Sequence, residues 1–242
     1  MKMLEQDLQL RVSECDANNM WRPGAMLTEM QELAGMHSHS IGCGRETLLK
    51  EGLAWVVVRM ELQIHRYPAF PETVKLRTFC TPPRHRFFPR YFQAFDKNGE
   101  QIMQASSMWL LMDLETRQSV SAERLPSPIP ENDEAANLMA MPGGIDEVDC
   151  PPQVISHEPV YTDLDANGHV NNTRYVDWLC NALGMETMKD HPPERLIIHY
   201  DNEIRPGTPV ELRLKRDGAR FQMTGIHDGR NAFDMGGILM GI

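Results

Sequence analysis

Residues 164–179 read Leu-Asp-Ala-Asn-Gly-His-Val-Asn-Asn-Thr-Arg-Tyr-Val-Asp-Trp-Leu. The first part forms a turn, because Asp and Asn side chains bond to nearby backbone and glycine accepts a positive φ. The period then changes. Tyr175, Val176, Leu179 and Leu183 fall at helical spacing and predict a helix over 172–183. The same order stands 149 residues earlier, where Asp16-Ala17-Asn18-Asn19-Met20 precedes a helical pattern over 26–41 marked by Met30, Leu33, Ala34, His37 and Ile41. The chain therefore reads as two copies of one unit.

The strand patterns downstream of each helix strengthen the repeat. Over 54–64, Val56, Val58, Met60, Leu62 and Ile64 alternate with Trp55, Val57, Arg59, Glu61 and Gln63, which predicts a strand with one strongly apolar face. Residues 196–204 behave similarly, with His199, Asp201 and Glu203 on the more polar side. Residues 72–77 (Glu-Thr-Val-Lys-Leu-Arg) match 208–213 (Thr-Pro-Val-Glu-Leu-Arg) at an offset of 136. Hairpin turns are expected at 96–99 in the first copy and at 217–218 and 228–229 in the second. The smaller strand offset places an insert around 38–52 of the first copy. The fold class is α+β, each unit an antiparallel sheet around one helix.

Between the copies, residues 113–160 hold ten acids against two bases, together with Pro126, Pro128, Pro130, Pro142, Pro151 and Pro152. Proline at that density excludes a long regular element. The expected division is a first unit over 1–115, an acidic, proline-rich connector over 116–155 and a second unit over 156–242.

Composition limits the function. The 242 residues carry 34 Asp and Glu against 24 Lys and Arg, a formal charge of −10. A general nucleic-acid binder needs the opposite sign to displace counterions from phosphates. No run of about 18 apolar residues occurs, so no membrane-spanning helix is expected. Glu5 and Asp7 interrupt the opening stretch where a secretory leader needs apolar residues. Five cysteines without a C-x-x-C pair read as free thiols, which points to a reducing compartment, the cytoplasm.

The copies differ in their polar residues. Asp165, Asn167 and His169 face Asp16, Asn18 and Met20, and aligning Ile64 with Ile204 sets Gln63 opposite Glu203. Only the second copy then owns an imidazole and a carboxylate able to move a proton. A loop entering a helix also offers unpaired N–H groups to a developing oxyanion. His169 and Asn167 are candidate donors to a substrate carbonyl, and Asp165 would orient the loop or the imidazole. Glu203, raised in pKa by partial burial, would activate water. Taken singly, Asp and Asn before a helix suit a plain cap and a lone Glu suits solvent. Their confinement to one copy favours chemistry.

The 164–179 stretch closely resembles the signature of acyl-ACP thioesterases, a D-x-N-x-H-V-N-N loop running into the central helix of a hotdog fold. The resemblance extends over 54–59 (Ala-Trp-Val-Val-Val-Arg), 66–79, 106–117 and the tandem arrangement. It implies two tandem hotdog units, with Asp165, Asn167, His169 and Glu203 as the catalytic set. It further implies hydrolysis of fatty acyl thioesters on the acyl carrier protein. Plant members carry a cysteine directly after the Glu. Here that residue is Ile204, which favours direct attack by water.

The resemblance also implies an acyl tunnel in the first unit, for which Met26, Met30, Leu33, His37, Trp55 and Val57 are candidate walls. Arg84, Arg86 and Arg90, with His85, form the densest basic group and suit docking of an acidic carrier protein. Hydrolysis of acyl-CoA and a catalytically silent acyl-binding module are the other readings, and a homodimer is compatible with the family. His37-Ser38-His39 gives no third ligand for a metal, and no glycine-rich phosphate loop is present. No metal and no cofactor are expected.

Overall fold

The computed structural model describes residues 1–132 and 138–242. The chain divides into Met1–Pro142 and Gly143–Ile242. This boundary lies inside the expected connector, whose two ends carry short strands of the units.

The first unit contains β1 (Met3–Gln9), α1 (Pro23–Ser40), α2 (Arg45–Lys50), β2 (Leu53–Ile64), β3 (Thr73–Cys80), β4 (Phe87–Phe95), β5 (Gln101–Asp113) and β6 (Ser119–Val120). The strands run in the order β1-β3-β4-β5-β2, all neighbours antiparallel, with β6 beside β5. Pro23 opens α1, where its fixed φ suits the helix and its missing N–H costs nothing. Met26, Met30, Leu33 and His37 follow at spacings of four, three and four, all at most 1% exposed, on a helix that packs against β1 and β3. Burial of each Met or Leu contributes about 2 kcal/mol. The insert expected around 38–52 contains α2.

The second unit contains β7 (Gln153–His157), α3 (Arg174–Leu183), α4 (Met185–Asp190), β8 (Pro193–Tyr200), β9 (Val210–Asp217), β10 (Arg220–His227) and β11 (Arg230–Leu239). Its order, β8-β11-β10-β9-β7, is the order of the first unit read from the other end. On α3, Tyr175 stacks on Phe233 of β11 with ring centroids 4.5 Å apart, and Trp178 meets His157 of β7 at 4.4 Å. Gly184, at φ +86°, ends the helix in a backbone conformation that glycine adopts without steric cost. The turns expected at 217–218 and 228–229 join β9 to β10 and β10 to β11, with Gly218 and Gly229 at positive φ.

One expected element is shorter than its sequence pattern. The strand read over 196–204 starts at Pro193 and stops at Tyr200. Beyond it the N–H groups of Asp201 and Asn202 both turn onto the Ala232 carbonyl, at 2.9 and 3.0 Å, and ladder pairing ends. Glu203 therefore lies in an irregular segment past the strand.

Candidate active site

One carboxylate organises the loop before α3. Asp165 Oδ1 accepts the backbone N–H groups of Asn167 at 2.8 Å and His169 at 3.3 Å, while Oδ2 accepts the Asn167 side-chain amide at 3.2 Å. The Asp165 N–H closes the ring on the His169 carbonyl at 2.8 Å, and Gly168 supplies the required φ of +76°. Val170 N–H then donates to the Ile204 carbonyl at 2.9 Å, fastening the loop to the segment that bears Glu203. His169 Nε2 consequently stands 3.5 Å from Glu203 Oε2, with the imidazole 21% and the carboxylate 42% exposed. Asp165, Asn167, His169 and Glu203 thus gather at one place within the second unit.

The first copy repeats the scaffold without these groups. Asp16 Oδ1 accepts the N–H groups of Asn18 at 2.8 Å and Met20 at 2.9 Å, and Asn19 takes the left-handed conformation at φ +66°. Trp21 N–H donates to the Pro68 carbonyl at 2.9 Å, as Val170 does to Ile204. At the strand end, His65 and Arg66 both donate to the Ile102 carbonyl, as Asp201 and Asn202 do to Ala232. Matched bond for bond, Tyr200 corresponds to Ile64, Glu203 to Tyr67 and Ile204 to Pro68. This corrects the pairing of Gln63 with Glu203. The offset of 136 already holds at the strand end, and Gln63 instead accepts a bond from Gln104 within its own sheet at 2.8 Å.

Two further expectations change. Glu203 is exposed in place of the partial burial expected of a base, and the group beside it is the His169 imidazole. The start of α3 is also partly closed: Asn171 Oδ1 accepts the Thr173 N–H at 3.0 Å and the Asn171 carbonyl accepts that of Arg174 at 2.9 Å. Side chains of the loop are therefore better placed than these amides to meet an oxyanion.

The remaining candidates separate by burial. Met26, Met30, Leu33 and His37 are core residues of α1, and Trp55 and Val57 of β2 are half-buried. None of the six lines either of two clefts in the first unit, of about 670 and about 630 Å³. Arg84, His85 and Arg86 project from a tight turn closed by reciprocal bonds between Arg84 and Phe87 at 2.8 and 3.0 Å. Arg90 does not join them. It is 6% exposed and donates to His37 Nδ1 at 3.1 Å, Thr78 Oγ1 at 3.2 Å and Ser38 Oγ at 2.9 Å, so it is unavailable for docking. Its β4 position places its side chain on the helix-facing side of the sheet, which the sequence cluster of arginines concealed. Burial, followed by the positive charge of Arg90, pushes the His37 imidazole down to about 4.

The sequence reading missed supporting residues behind the loop. Asp163, 8% exposed, accepts the Val160 N–H at 3.0 Å and lies 3.6 Å from His157 Nε2, while its carbonyl accepts the Asn171 N–H at 2.8 Å. Tyr175, 3% exposed, has the carboxylates of Asp165 and Glu203 nearby. Carrying the offset of 149 through the helices would have exposed the signal, since it sets Leu8 against His157 and Met26 against Tyr175.

An antiparallel sheet with a helix laid on it, present twice, with the His169–Glu203 pair in the second copy among the described residues, defines a duplicated hotdog protein. The chain belongs to the acyl-ACP thioesterase family: the family's N-terminal domain matches residues 2–124 and its C-terminal domain residues 152–234. It is 29% identical over 206 residues to the chloroplastic oleoyl-acyl carrier protein thioesterase of Coriandrum sativum, covering 75% of this chain and 54% of that protein. It is 24% identical over 243 residues to the chloroplastic palmitoyl-acyl carrier protein thioesterase of Cuphea hookeriana, covering 91% and 58%. The chain thus spans about half the length of these curated relatives. Among solved structures, an acyl-ACP thioesterase from Bacteroides thetaiotaomicron matches with a TM-score of 0.84 at 21% identity, covering 98% of this chain and 97% of that one. The 12:0-ACP thioesterase from Umbellularia californica gives 0.79 at 21% identity, covering 98% and 96%. At these identities the structural likeness shows the fold.

Proposed function

We propose that the protein hydrolyses fatty acyl thioesters of acyl carrier protein, releasing the free acid and the carrier's thiol. The observation that carries this reading is the approach of His169 Nε2 to Glu203 Oε2 at 3.5 Å in the copy that holds both groups. Glu203 takes a proton from a water molecule as the water oxygen bonds to the acyl carbon. The His169 imidazole and the Asn167 amide donate to the carbonyl oxygen as it becomes negative. When the tetrahedral species collapses, the C–S bond breaks and the leaving sulfur takes the proton held by Glu203. Water is the nucleophile in this reading because the residue after Glu203 is a buried isoleucine with no thiol.

The remaining parts belong to the same proposal. The acyl chain would lie in the first unit along Met26, Met30, Leu33, His37, Trp55 and Val57, and an acidic carrier protein would dock at Arg84 and Arg86. Five free thiols support a cytoplasmic location. Among the described residues no helix is long and apolar enough to cross a membrane. The test is fatty acid release by the purified chain from a panel of acyl-ACPs and from the same acyl groups on CoA. Release from the carrier at higher kcat/KM than from CoA is expected. Binding of acyl-ACP without release would overturn the reading.

A further inference from the structure

The segment that carries Glu203 is held by side chains of β11 that the proposed mechanism does not use. Pairing of β10 with β11 shifts between Gly225 and Ile226 and leaves Ala232 as an extra residue. Such a bulge reverses the alternation and puts Asn231 and Asp234, three apart, on one face of the strand. There Asn231 Nδ2 donates to Asp234 Oδ2 and to Asp201 Oδ2, each at 2.6 Å. Thr224 of β10 donates to the other Asp234 oxygen at 2.6 Å. Asn202 Nδ2 donates to the Asn231 carbonyl at 2.6 Å, and the N–H groups of Asp201 and Asn202 share the Ala232 carbonyl. Just beyond Glu203, the Ile204 carbonyl is held by Val170 at 2.9 Å. Glu203 therefore lies between two fixed points of the backbone.

The first unit keeps the backbone part of this arrangement without the side-chain part. Pairing of β4 with β5 shifts at the matching place, between Ala94 and Phe95, and His65 and Arg66 share the Ile102 carbonyl. Gln101 and Gln104 stand in the places of Asn231 and Asp234, and His65 and Arg66 in those of Asp201 and Asn202. Gln101 donates to Gln104 at 3.3 Å and Gln104 to Gln63 at 2.8 Å, so these amides bond along the sheet. Arg66 turns to Glu72, at 3.0 and 2.9 Å. The shared backbone bonds are enough to end a strand in either copy. The carboxylate at 201 and the amide that reaches it belong to the copy that holds His169 and Glu203.

An amide is the side chain this place requires. Two carboxylate oxygens face one atom, and an uncharged NH2 group gives a hydrogen to each while the amide oxygen points away. Without that bridge the exposed Asp201 side chain has no hold on β11 and turns to solvent. We infer that Asn231 is a positioning residue: by joining Asp234 to Asp201 it fixes the backbone that enters Glu203, so that the carboxylate stands beside the His169 imidazole. The inference deepens the proposed hydrolysis and rests on it for its kinetic readout.

The test uses Asn231→Ala, which removes the bridge, and Asp201→Ala, which removes only its acceptor. A third variant, Asp201→Asn, keeps an oxygen for the bond. On acyl-ACP the two alanine variants are each expected to lower kcat about tenfold, the scale of one lost hydrogen bond to a charged group, with KM within about twofold. Combined, they should lose no more than the larger single loss, and Asp201→Asn should keep kcat within about threefold. In a Glu203→Gln background, Asn231→Ala should change the residual rate less than about twofold, because a residue acting through Glu203 has nothing left to position. Unchanged kcat in Asn231→Ala, or the same tenfold loss in the Glu203→Gln background, would overturn the inference. If Asn231→Ala fails to fold, Asp201→Ala decides by the same measures, since its side chain is exposed. If the unaltered protein hydrolyses no acyl-ACP, the proposed function fails and crystal structures decide for Asn231. The His169 Nε2 to Glu203 Oε2 separation, 3.5 Å in the native chain, should then pass about 4 Å in the alanine variants, out of ion-pair reach, and an unchanged separation would overturn the inference.

Discussion

In the proposed reading, a methionine in one copy and a histidine in the other mark the difference between a scaffold and a site. If the proposed hydrolysis holds, His169→Ala and Glu203→Ala are each expected to lower kcat about 100-fold or more, because in that reading each removes a group that moves a proton or stabilises the oxyanion. Met20→Ala, in the matching loop, should leave kcat within about twofold, since that loop is closed by backbone bonds to Asp16. Steady-state hydrolysis of acyl-ACP measures all three, and equal losses at Met20 and His169 would contradict a single site. His37 gives a prediction about stability. Its imidazole falls from 6.5 when unfolded to about 4 when folded, so the unfolded chain binds the extra proton between these values. The stability it provides is complete above about 6.5 and is lost as pH falls toward 4, by about 3 kcal/mol across that window. Urea unfolding between pH 7 and pH 4 should therefore show a steeper loss in the native protein than in His37→Gln, whose amide cannot gain the proton.

At the level of elements, the sequence showed most of the fold because periodicity and turn chemistry are local. Helices α1 and α3, strand β2 and the glycine turns of the second sheet stand within a few residues of where spacing placed them. Two errors came from information that is not local. The alternation of 196–204 continues past Tyr200, yet the ladder stops there because two amides turn onto one carbonyl, a fact of pairing that no single strand records. Arg90 reads as surface charge beside Arg84 and Arg86, yet alternation along β4 buries it under α1. In the candidate site, Asp165, Asn167 and His169 were legible as a motif, whereas the place of Glu203 past the strand end was not, because it depends on where the ladder stops. The sheet also sets a sharp local demand at Gly237 of β11, where a Cβ would overlap the Arg195 carbonyl oxygen on β8. Backbone cannot move aside as a flexible side chain can, so Gly237→Ala is expected to cost about 2–4 kcal/mol. A lowered thermal midpoint would show it, and Gly229→Ala is the comparison, strained by its φ of +70° but with open space around it.

For the molecule as a whole, the charge balance bears on how the proposed carrier-protein substrate would be met. The chain carries −10, and an acidic partner approaching at random would be repelled. In the proposed reaction a productive encounter would need a local reversal of sign, and the turn bearing Arg84, His85 and Arg86 is the group we propose for it. Arg86 is held by bonds to the Ser119 carbonyl and hydroxyl at 3.1 and 3.2 Å, so part of the positive charge has a defined position before any partner arrives. Steering by such a group acts on encounter and is screened by salt. Reversing both charges with Arg84→Glu and Arg86→Glu is therefore expected to raise KM for acyl-ACP about tenfold at low ionic strength while kcat stays within about twofold. The same variant should hydrolyse an acyl-CoA of equal chain length as the native protein does, because that substrate brings no protein surface to the turn. The difference should also shrink as salt shortens the screening length from about 10 Å at 0.1 M to about 3 Å at 1 M. A kcat loss with unchanged KM, or an equal effect on both substrates, would remove the turn from the docking surface.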